Sequence, residues 1–363
     1  MKVTVIGAGI VGCAVAYELV SRGAHVHIVD SRGVGEGATR ASAGILAPQI
    51  EGHTGQLRQL AVASLALYDD FIRRVESDSG RLVEYGRHGT TQVVFTDDEA
   101  TQLAQEAQMM GTAGVEHTLV TGAEARRLEP SLSAGVIAGL IVPAHGYVGA
   151  TQLTLALAEA AVARGAQIST TVVIGIEGGG QTARVMTQHG TIESDAVVVA
   201  SGSWPIDARP TSSPTVRPIR GQLAHVEPVS RAASTVIWSP ECYLVPWRDG
   251  SLLIGATVED VGFDERTTAA GVRGLLDAAM RVVPSLGQAH LREVRVGLRP
   301  KGEGELPVVG RSPTMPGVFY AVGHYRNGVL LAPLTAALLA DLVLEGHERA
   351  ELALVRPGRN GDA

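Results

Sequence analysis

Short apolar runs alternate along this chain with stretches whose apolar residues recur at helical spacing. Lys2–Ile6 is rich in Val, the composition of a buried strand. Gly7-Ala8-Gly9-Ile10-Val11-Gly12 follows, a GxGxxG turn. Residues 11–20 are apolar on one face with Glu18 and Arg22 on the other, which predicts a helix, and Gly23 can stop it from a left-handed cap position. Residues 25–29 form a second strand with Asp30 at its end. Further on, helical spacing covers 56–75, 97–114 and 121–128, the second with a favourable acidic first turn. Strand patterns fall within 81–96, clearest at 90–95, and at 138–147.

Thr151 reads as the N-cap of an Ala/Leu helix that runs to Arg164 and is closed by Gly165. Residues 167–177 are strand-like, residues 178–180 are a glycine hairpin signal, and 183–187 supply a pairing strand. Residues 196–200 are only Val and Ala, the mark of a parallel strand buried on both faces, and end in Ser201-Gly202-Ser203-Trp204. Residues 210–216 read as a crossing to a second unit. There, strands are expected at 222–226, 242–246 and 251–256, the last two joined by a turn at 247–250. A helix over 267–282 and a strand over 293–298 lead to Arg299-Pro300. Val318–Val322 is another buried strand, followed by Gly323 to Gly328 and a helix over 329–344 that tolerates Pro333 in its first turns. The tail from Glu348 is mostly polar and is expected to fray.

The layout is discontinuous α/β. Residues 1–48, 146–206 and 300–346 carry the signature of a Rossmann-like domain with a parallel sheet. Residues 49–145 and 207–299 carry that of an antiparallel α+β domain, and 347–363 form a tail. Strand, glycine turn, helix, strand and acid make up the dinucleotide-binding unit. Gly7 permits the tight turn, Gly9 lets backbone N–H groups reach a pyrophosphate, and Gly12 lets the helix lie close to the strand. The helix N-terminus favours the diphosphate electrostatically, and Asp30 can accept both hydroxyls of an adenosine ribose. An ADP-containing cofactor is therefore expected. The small-residue stretch 33–48 either lies against such a ligand or forms a flexible surface loop.

Composition narrows the picture. With 363 residues the chain can form two domains or one large composite. A formal net charge of -7 without a long basic run argues against nucleic acid as a partner. Cys13 and Cys242 make no disulfide framework, which fits a reducing, cytoplasmic location. No signal peptide is evident. The longest apolar stretch, 328–343, contains Pro333 and Asp341 and is too short for a transmembrane segment. No metal site stands out, since His25 and His27 share one face of a strand.

The glycine turn, TRASAGILAP, VVVASGSW, YLVP, GLRP with the following PVVGR, and GHYRNGVLLAP occur in an order that resembles the D-amino-acid oxidase superfamily of flavoproteins. The resemblance covers nearly the whole chain and is strongest to the glycine oxidase branch, associated with thiamine biosynthesis. It implies FAD, held by the glycine turn (Gly7, Gly9, Ile10, Val11 and Gly12), by Asp30 and Ser31 at the ribose, and by Ala38 and Thr39. It places Ala43, Gly44 and Ile45 beside the flavin, Val173 on the adenine side, and Gly202 along the cofactor. His324, Tyr325, Arg326, Asn327, Gly328, Val329 and Leu330 would surround the isoalloxazine, where a helix N-terminus favours its anionic reduced form. No cysteine stands near residues 301–305, so the FAD is expected to be non-covalent.

The same resemblance makes Arg299 the carboxylate-binding arginine, a role that suits its planar fork. Tyr243 would assist it, and Arg326 would lie near substrate and flavin. The sequence departs from the family pattern at two pocket positions. Val258 stands where methionine is common, which would admit larger amines, and Glu241 would attract an ammonium. The implied reaction is oxidative deamination of glycine or a related small amino acid. Hydride passes from the α-carbon to the flavin. The imino acid hydrolyses to glyoxylate and ammonia, and dioxygen yields hydrogen peroxide. No Ser/His/Asp machinery is required. Three alternatives stay open: an oxidase of N-substituted glycines, a dehydrogenase that reduces a membrane quinone, and a flavin-binding subunit without catalysis. A homo-oligomer is expected.

Overall fold

In the computed structural model, which describes every residue but 51, 52, 54, 180, 181, 205, 207–213 and 359–363, the N-terminal strand lies inside a six-stranded sheet. The order is Val308–Arg311, Val318–Val322, Ala196–Val199, Lys2–Ile6, His25–Asp30, Gln167–Thr170. All neighbours are parallel except the edge strand Val308–Arg311. The two-residue period decides which face each side chain covers. Val3, Val5, Ala196 and Val198 point to a helical layer of Ile10–Ser21, Ala150–Ala163, Gly55–Ser79 and Gly328–Ala340. Val197, Val199 and Val318 point to the opposite layer, where Ile176, Ala183 and Val185 come from the antiparallel strands Val173–Gly179 and Thr182–Thr187.

The second sheet has eight strands in the order His290–Lys301, Arg217–Glu227, Leu252–Gly255, Tyr243–Pro246, Val236–Trp238, Thr90–Val94, Ala138–Val142, Thr118–Thr121. Its pairs are antiparallel except Val236–Trp238 with Thr90–Val94. One face packs Ala224, Leu244 and Ile254 under the helix Ala269–Val282, through Leu275 and Ala279. The other face presents Leu223, Tyr243, Val245 and Leu253 to Ala41 and Ala43 of the small-residue stretch, and this contact joins the two sheets. The helix Gly55–Ser79 buries Leu57, Leu65, Phe71 and Val75 in the core of the first sheet, although it lies within 49–145, expected in the second unit; its flanking strands Ile45–Leu46 and Tyr85–Gly86 both pair with Gly146–Val148 in a small three-stranded sheet.

Several local expectations are corrected. The helix expected to be capped by Thr151 starts at Ala150 with Gly149 as N-cap, because Leu153 N already donates to Gly149 O at 2.8 Å. Residues 167–177 split into two strands of different sheets: the first sheet's ladder ends where Thr171 N donates to Asp30 O at 2.8 Å, and Val173–Gly179 pairs instead with Thr182–Thr187. The strand through 293–298 extends over His290–Lys301, so Arg299 and Pro300 lie within its ladder. The hairpin expected at 178–180 does pair Val173–Gly179 with Thr182–Thr187, though Gly180 lies outside the described residues. Of the crossing at 210–216, residues 210–213 also lie outside them. The strand Gly190–Ser194 had no clear apolar pattern to reveal it, and Val236–Trp238, though Val-Ile-Trp, is only three residues long and was not expected.

Gly328–Glu345 is a continuous helical run of 18 residues, long and apolar enough to cross a membrane by composition, and 78% of it is buried within the protein. The tail does not fray where it is described. Ala350–Val355 is a helix whose Leu352 and Val355 are buried in the first core. Leu352→Ala should therefore cost about 2–4 kcal/mol, read as a drop in the midpoint of denaturant unfolding. A loss within about 0.5 kcal/mol, typical of a surface change, would contradict this packing.

Candidate active site

The site begins at the glycine turn. Gly7 has φ +110°, and a Cβ there would lie 2.3 Å from Ala200 O. A Cβ on Gly12 would lie 1.9 Å from Gly7 O, so the helix meets its own turn only because this residue has no side chain. Gly9 faces Thr39, whose Oγ1 accepts from Ile10 N at 3.1 Å. Asp30 holds the turn as well as facing the groove. Its Oδ2 accepts from Ala8 N at 2.8 Å, and its Oδ1 accepts from Arg32 N at 2.7 Å and Gly33 N at 3.0 Å. A carboxylate has about four acceptor positions, so one on Oδ2 is left rather than the two that a pair of ribose hydroxyls needs.

From this turn a groove follows the C-terminal ends of the parallel strands. Its outer part, about 1160 Å³, is lined by Gly7, Asp30, Ser31, Thr171 and Val173. Its inner part, about 1050 Å³, is lined by Ile10, Val11, Ala43, Gly44, Ile45, Tyr243, Arg299, His324, Tyr325, Arg326, Gly328 and Val329. Gly9, Ala38, Thr39, Ala200 and Gly202 line both parts and make them continuous. Two features fit a long dinucleotide. Thr171 Oγ1 is buried with no hydrogen-bond partner among the described residues, yet its residue lines the outer groove. The helix Gly328–Ala340 starts at the inner wall with no side-chain cap from Asn327, which leaves a field suited to an anionic group. Gly12, Asn327 and Leu330 lie behind the wall, with Leu330 in the core.

Arg299 enters from the second sheet. Its strand partner across the ladder is Ile219, but its guanidinium lies over Gly221, where a Cβ would come within 2.4 Å of it. Nη1 donates to Thr257 O at 3.0 Å and more weakly to Arg220 O at 3.4 Å. Nε and Nη2 make no hydrogen bond to the described residues. Tyr243 is similarly accommodated over Gly255, where a Cβ would lie 2.4 Å from its ring, and it packs against Trp238 at 5.2 Å between centroids. Gly297, opposite Gly221, lets Ala38 and Ala41 approach the sheet. These glycines and the lining residues Ala41 and Ser42 were not identified from sequence. A glycine inside an otherwise apolar strand is the signal that marks such close approach.

Tyr325 adopts φ +50°, the left-handed region, and its N–H donates to Pro300 O at 2.8 Å. Such strain in a non-glycine residue persists only where its surroundings fix it, and it is common at ligand clamps. Arg326 is exposed at the rim of the inner groove. The two remaining sequence candidates do not reach the groove. Glu241 turns outward to pair with Arg281 of the helix Ala269–Val282. Val258 is 58% exposed, because after Gly255 the chain leaves the sheet and points this side chain to solvent.

His324 is buried in the inner wall with Nε2 against Thr335 Oγ1 at 3.1 Å, and burial pushes its pKa down to about 4. His145, buried between Thr90 and Gln49, is pushed down to about 3. Both stay neutral in the fold at pH values where an unfolded histidine, near 6.5, takes up a proton. Folding stability is then fully present above about pH 6.5 and is lost as pH falls toward 4, with His324 alone contributing about 3 kcal/mol across that window. A thermal midpoint that stays flat between pH 6.5 and 4 would contradict this.

A Rossmann-type sheet with a long groove along its strand ends, continued to an arginine on an antiparallel sheet, is the architecture of an enzyme that uses a nucleotide cofactor. Sequence comparison makes the class specific. The chain belongs to the FAD dependent oxidoreductase family, whose sequence profile matches residues 2–342. It is 37% identical over 357 residues to the glycine oxidase of Geobacillus kaustophilus, covering 97% of this chain and 94% of that protein. It is 34% identical to the bifunctional protein ThiO/ThiG of Synechocystis, and spans about half (51%) of that protein's length. The crystal structure of the Geobacillus kaustophilus glycine oxidase superposes with a TM-score of 0.95 at 35% identity, covering 99% of each chain. That of an iminodiacetate oxidase from Chelativorans superposes with a TM-score of 0.91 at 27% identity, covering 98% of each.

Proposed function

We propose that this protein is an oxidase of glycine or a related small amino acid, converting it with dioxygen and water to the corresponding 2-oxo acid (glyoxylate from glycine), ammonia and hydrogen peroxide. The observation that carries this reading is the guanidinium of Arg299 in the groove wall, tethered through Nη1 while Nε and Nη2 lack partners. FAD bound in the groove, non-covalently, supplies the two-electron sink for the α-carbon hydride and passes the electrons to dioxygen. Gly7, Gly9 and the first turn of the helix Ile10–Ser21 would hold its diphosphate, with Asp30, Ser31, Thr171 and Val173 toward the adenosine. Ala38, Thr39, Ala43, Gly44, Ile45, Gly202, His324, Tyr325, Gly328 and Val329 would line its length.

Within that frame Arg299 binds the substrate carboxylate, Tyr243 supports it, and Arg326 closes the rim. Fixing the carboxylate restricts where the α-C–H bond can point, which contributes to catalysis through orientation. His324, kept neutral by burial, adds no positive charge to the groove wall. The same reading divides the chain into a cofactor unit of 1–48, 146–206 and 300–346, joined by the helix Gly55–Ser79, and a substrate unit from the rest of 49–145 and 207–299. A cytoplasmic, homo-oligomeric enzyme of the thiamine-linked branch is its setting.

The test is anaerobic addition of glycine to the purified yellow protein. Bleaching of the flavin, followed by recovery of colour and stoichiometric peroxide on admitting air, supports the reading. Bleaching by glycine without recovery in air would indicate a dehydrogenase instead. A second reading is oxidation of an N-substituted glycine, favoured by the likeness to an iminodiacetate oxidase over 98% of the chain. Bleaching by sarcosine or iminodiacetate but not by glycine would select it.

A further inference from the structure

Behind Arg299 the chain makes an unusual attachment. The strand Leu252–Gly255 pairs with Arg217–Glu227 only as far as Leu223, and the residues after Gly255 leave that ladder. They are then tied back to the same strand at two points. Thr257 N donates to Gln222 O at 3.2 Å, while Gln222 N donates to Thr257 Oγ1 at 2.9 Å. Arg220 and Glu259 exchange both backbone bonds, at 2.8 and 3.0 Å. One carboxylate gathers the side chains of this junction. Glu259 Oε1 accepts from Thr257 Oγ1 at 2.6 Å and Gln222 Nε2 at 2.7 Å, and Oε2 accepts from Arg220 Nη2 at 2.5 Å. Burial opposes a charge on Glu259, yet these three donors hold its carboxyl below the usual range.

The two carbonyls that hold Arg299 Nη1, those of Thr257 and Arg220, are the backbone of this junction. Gly221 beneath the guanidinium offers no side chain to locate it. The aim of the fork therefore depends on where those two carbonyls stand.

We propose that Glu259 is a positioning residue for the substrate-carboxylate clamp: it fixes Thr257 against Arg220 and so orients the Arg299 guanidinium. The inference rests on the reading of Arg299 given under Proposed function. Glu259 does not line the groove, so it acts through Arg299 and not on the substrate. Removing its charge loosens the tether on Nη1, and a carboxylate ligand then has to order the fork at its own expense.

The experiment uses the FAD-loaded enzyme with acetate, a carboxylate without an amine, titrated by the change in flavin absorbance, together with glycine kinetics by peroxide release. For Glu259→Gln, the Kd for acetate and the KM for glycine should each rise about tenfold, the scale of one hydrogen bond to a charged group, with kcat within about twofold. Thr257→Val, which removes the hydroxyl but keeps the carbonyl, should shift both in the same direction by less, and carries the test if Glu259→Gln does not fold. Variants that retain FAD and the wild-type Kd for acetate, even with a lowered thermal midpoint, would overturn the proposal and leave Glu259 a merely structural residue. If Arg299→Ala still binds acetate like the wild type, or the wild type ignores acetate, the reading of Arg299 fails, and this proposal with it.

Discussion

Arg299→Ala is expected to weaken glycine binding by roughly two to three orders of magnitude while leaving the protein yellow. Truncating one partner of a desolvated charge pair costs about 3–5 kcal/mol, because the other charge stays behind without compensation. On the proposed reading, the partner left behind is the substrate carboxylate. Tyr243 and, at the rim, Arg326 would remain to meet it among the apolar walls from Ala43, Ile45 and Val329. FAD should remain, since the residues proposed to hold it come from the first sheet and from Ala38 to Ile45, not from the strand His290–Lys301. Arg299→Lys should recover only part of the loss. An ammonium is a point donor and cannot present two parallel N–H groups to one carboxylate. Titration of the flavin spectrum with glycine under anaerobic conditions gives the affinity, and an Arg299→Ala enzyme with unchanged affinity would remove the clamp.

Gly12→Val should yield a colourless, less stable protein. Even the Cβ would lie 1.9 Å from Gly7 O, so the first helix has to move off the turn. The atom in conflict is backbone, which cannot swing aside as the end of a long side chain can. Moving the helix also moves its N-terminus, which the dinucleotide reading places against the diphosphate. The same helix carries Cys13, Val15 and Leu19 into the first core, so the unfolding midpoint should fall with the colour. Flavin content after purification, and its recovery on adding FAD, measure the first effect, and thermal unfolding measures the second. A yellow Gly12→Val protein of wild-type stability would contradict the close helix–strand contact.

Much of this was readable in the chain because it depends on residues near each other in sequence. The turn from Ile6 to Gly12 is local, and Gly7 and Gly12 stand where a side chain would strike Ala200 and Gly7 respectively. The strands Ala196–Val199 and Val318–Val322 declare themselves by unbroken apolar composition, which only a strand covered on both faces requires. Asp97–Thr112 and Gly122–Leu128 begin at capping boxes formed within four residues, Thr96 with Glu99 and Thr121 with Glu124. Glu241 and Val258 show the limit. The family resemblance put Val258 at a methionine position of the pocket and Glu241 beside Tyr243, and the structure sends both to the surface.

The amino-acid sequence by itself determined the cofactor-binding unit, the alternation of its strands and helices, and the family to which the chain belongs, because each of these is written in short-range pattern. Only the tertiary structure decided that Gly55–Ser79 packs with the first sheet, that Asp30 spends three acceptor positions on its own turn, and that Gly221 and Gly255 make room for Arg299 and Tyr243. Such features depend on which strands become neighbours and in what register. Pairings like Ile219 with Arg299 span some eighty residues, and nothing local in the chain records them.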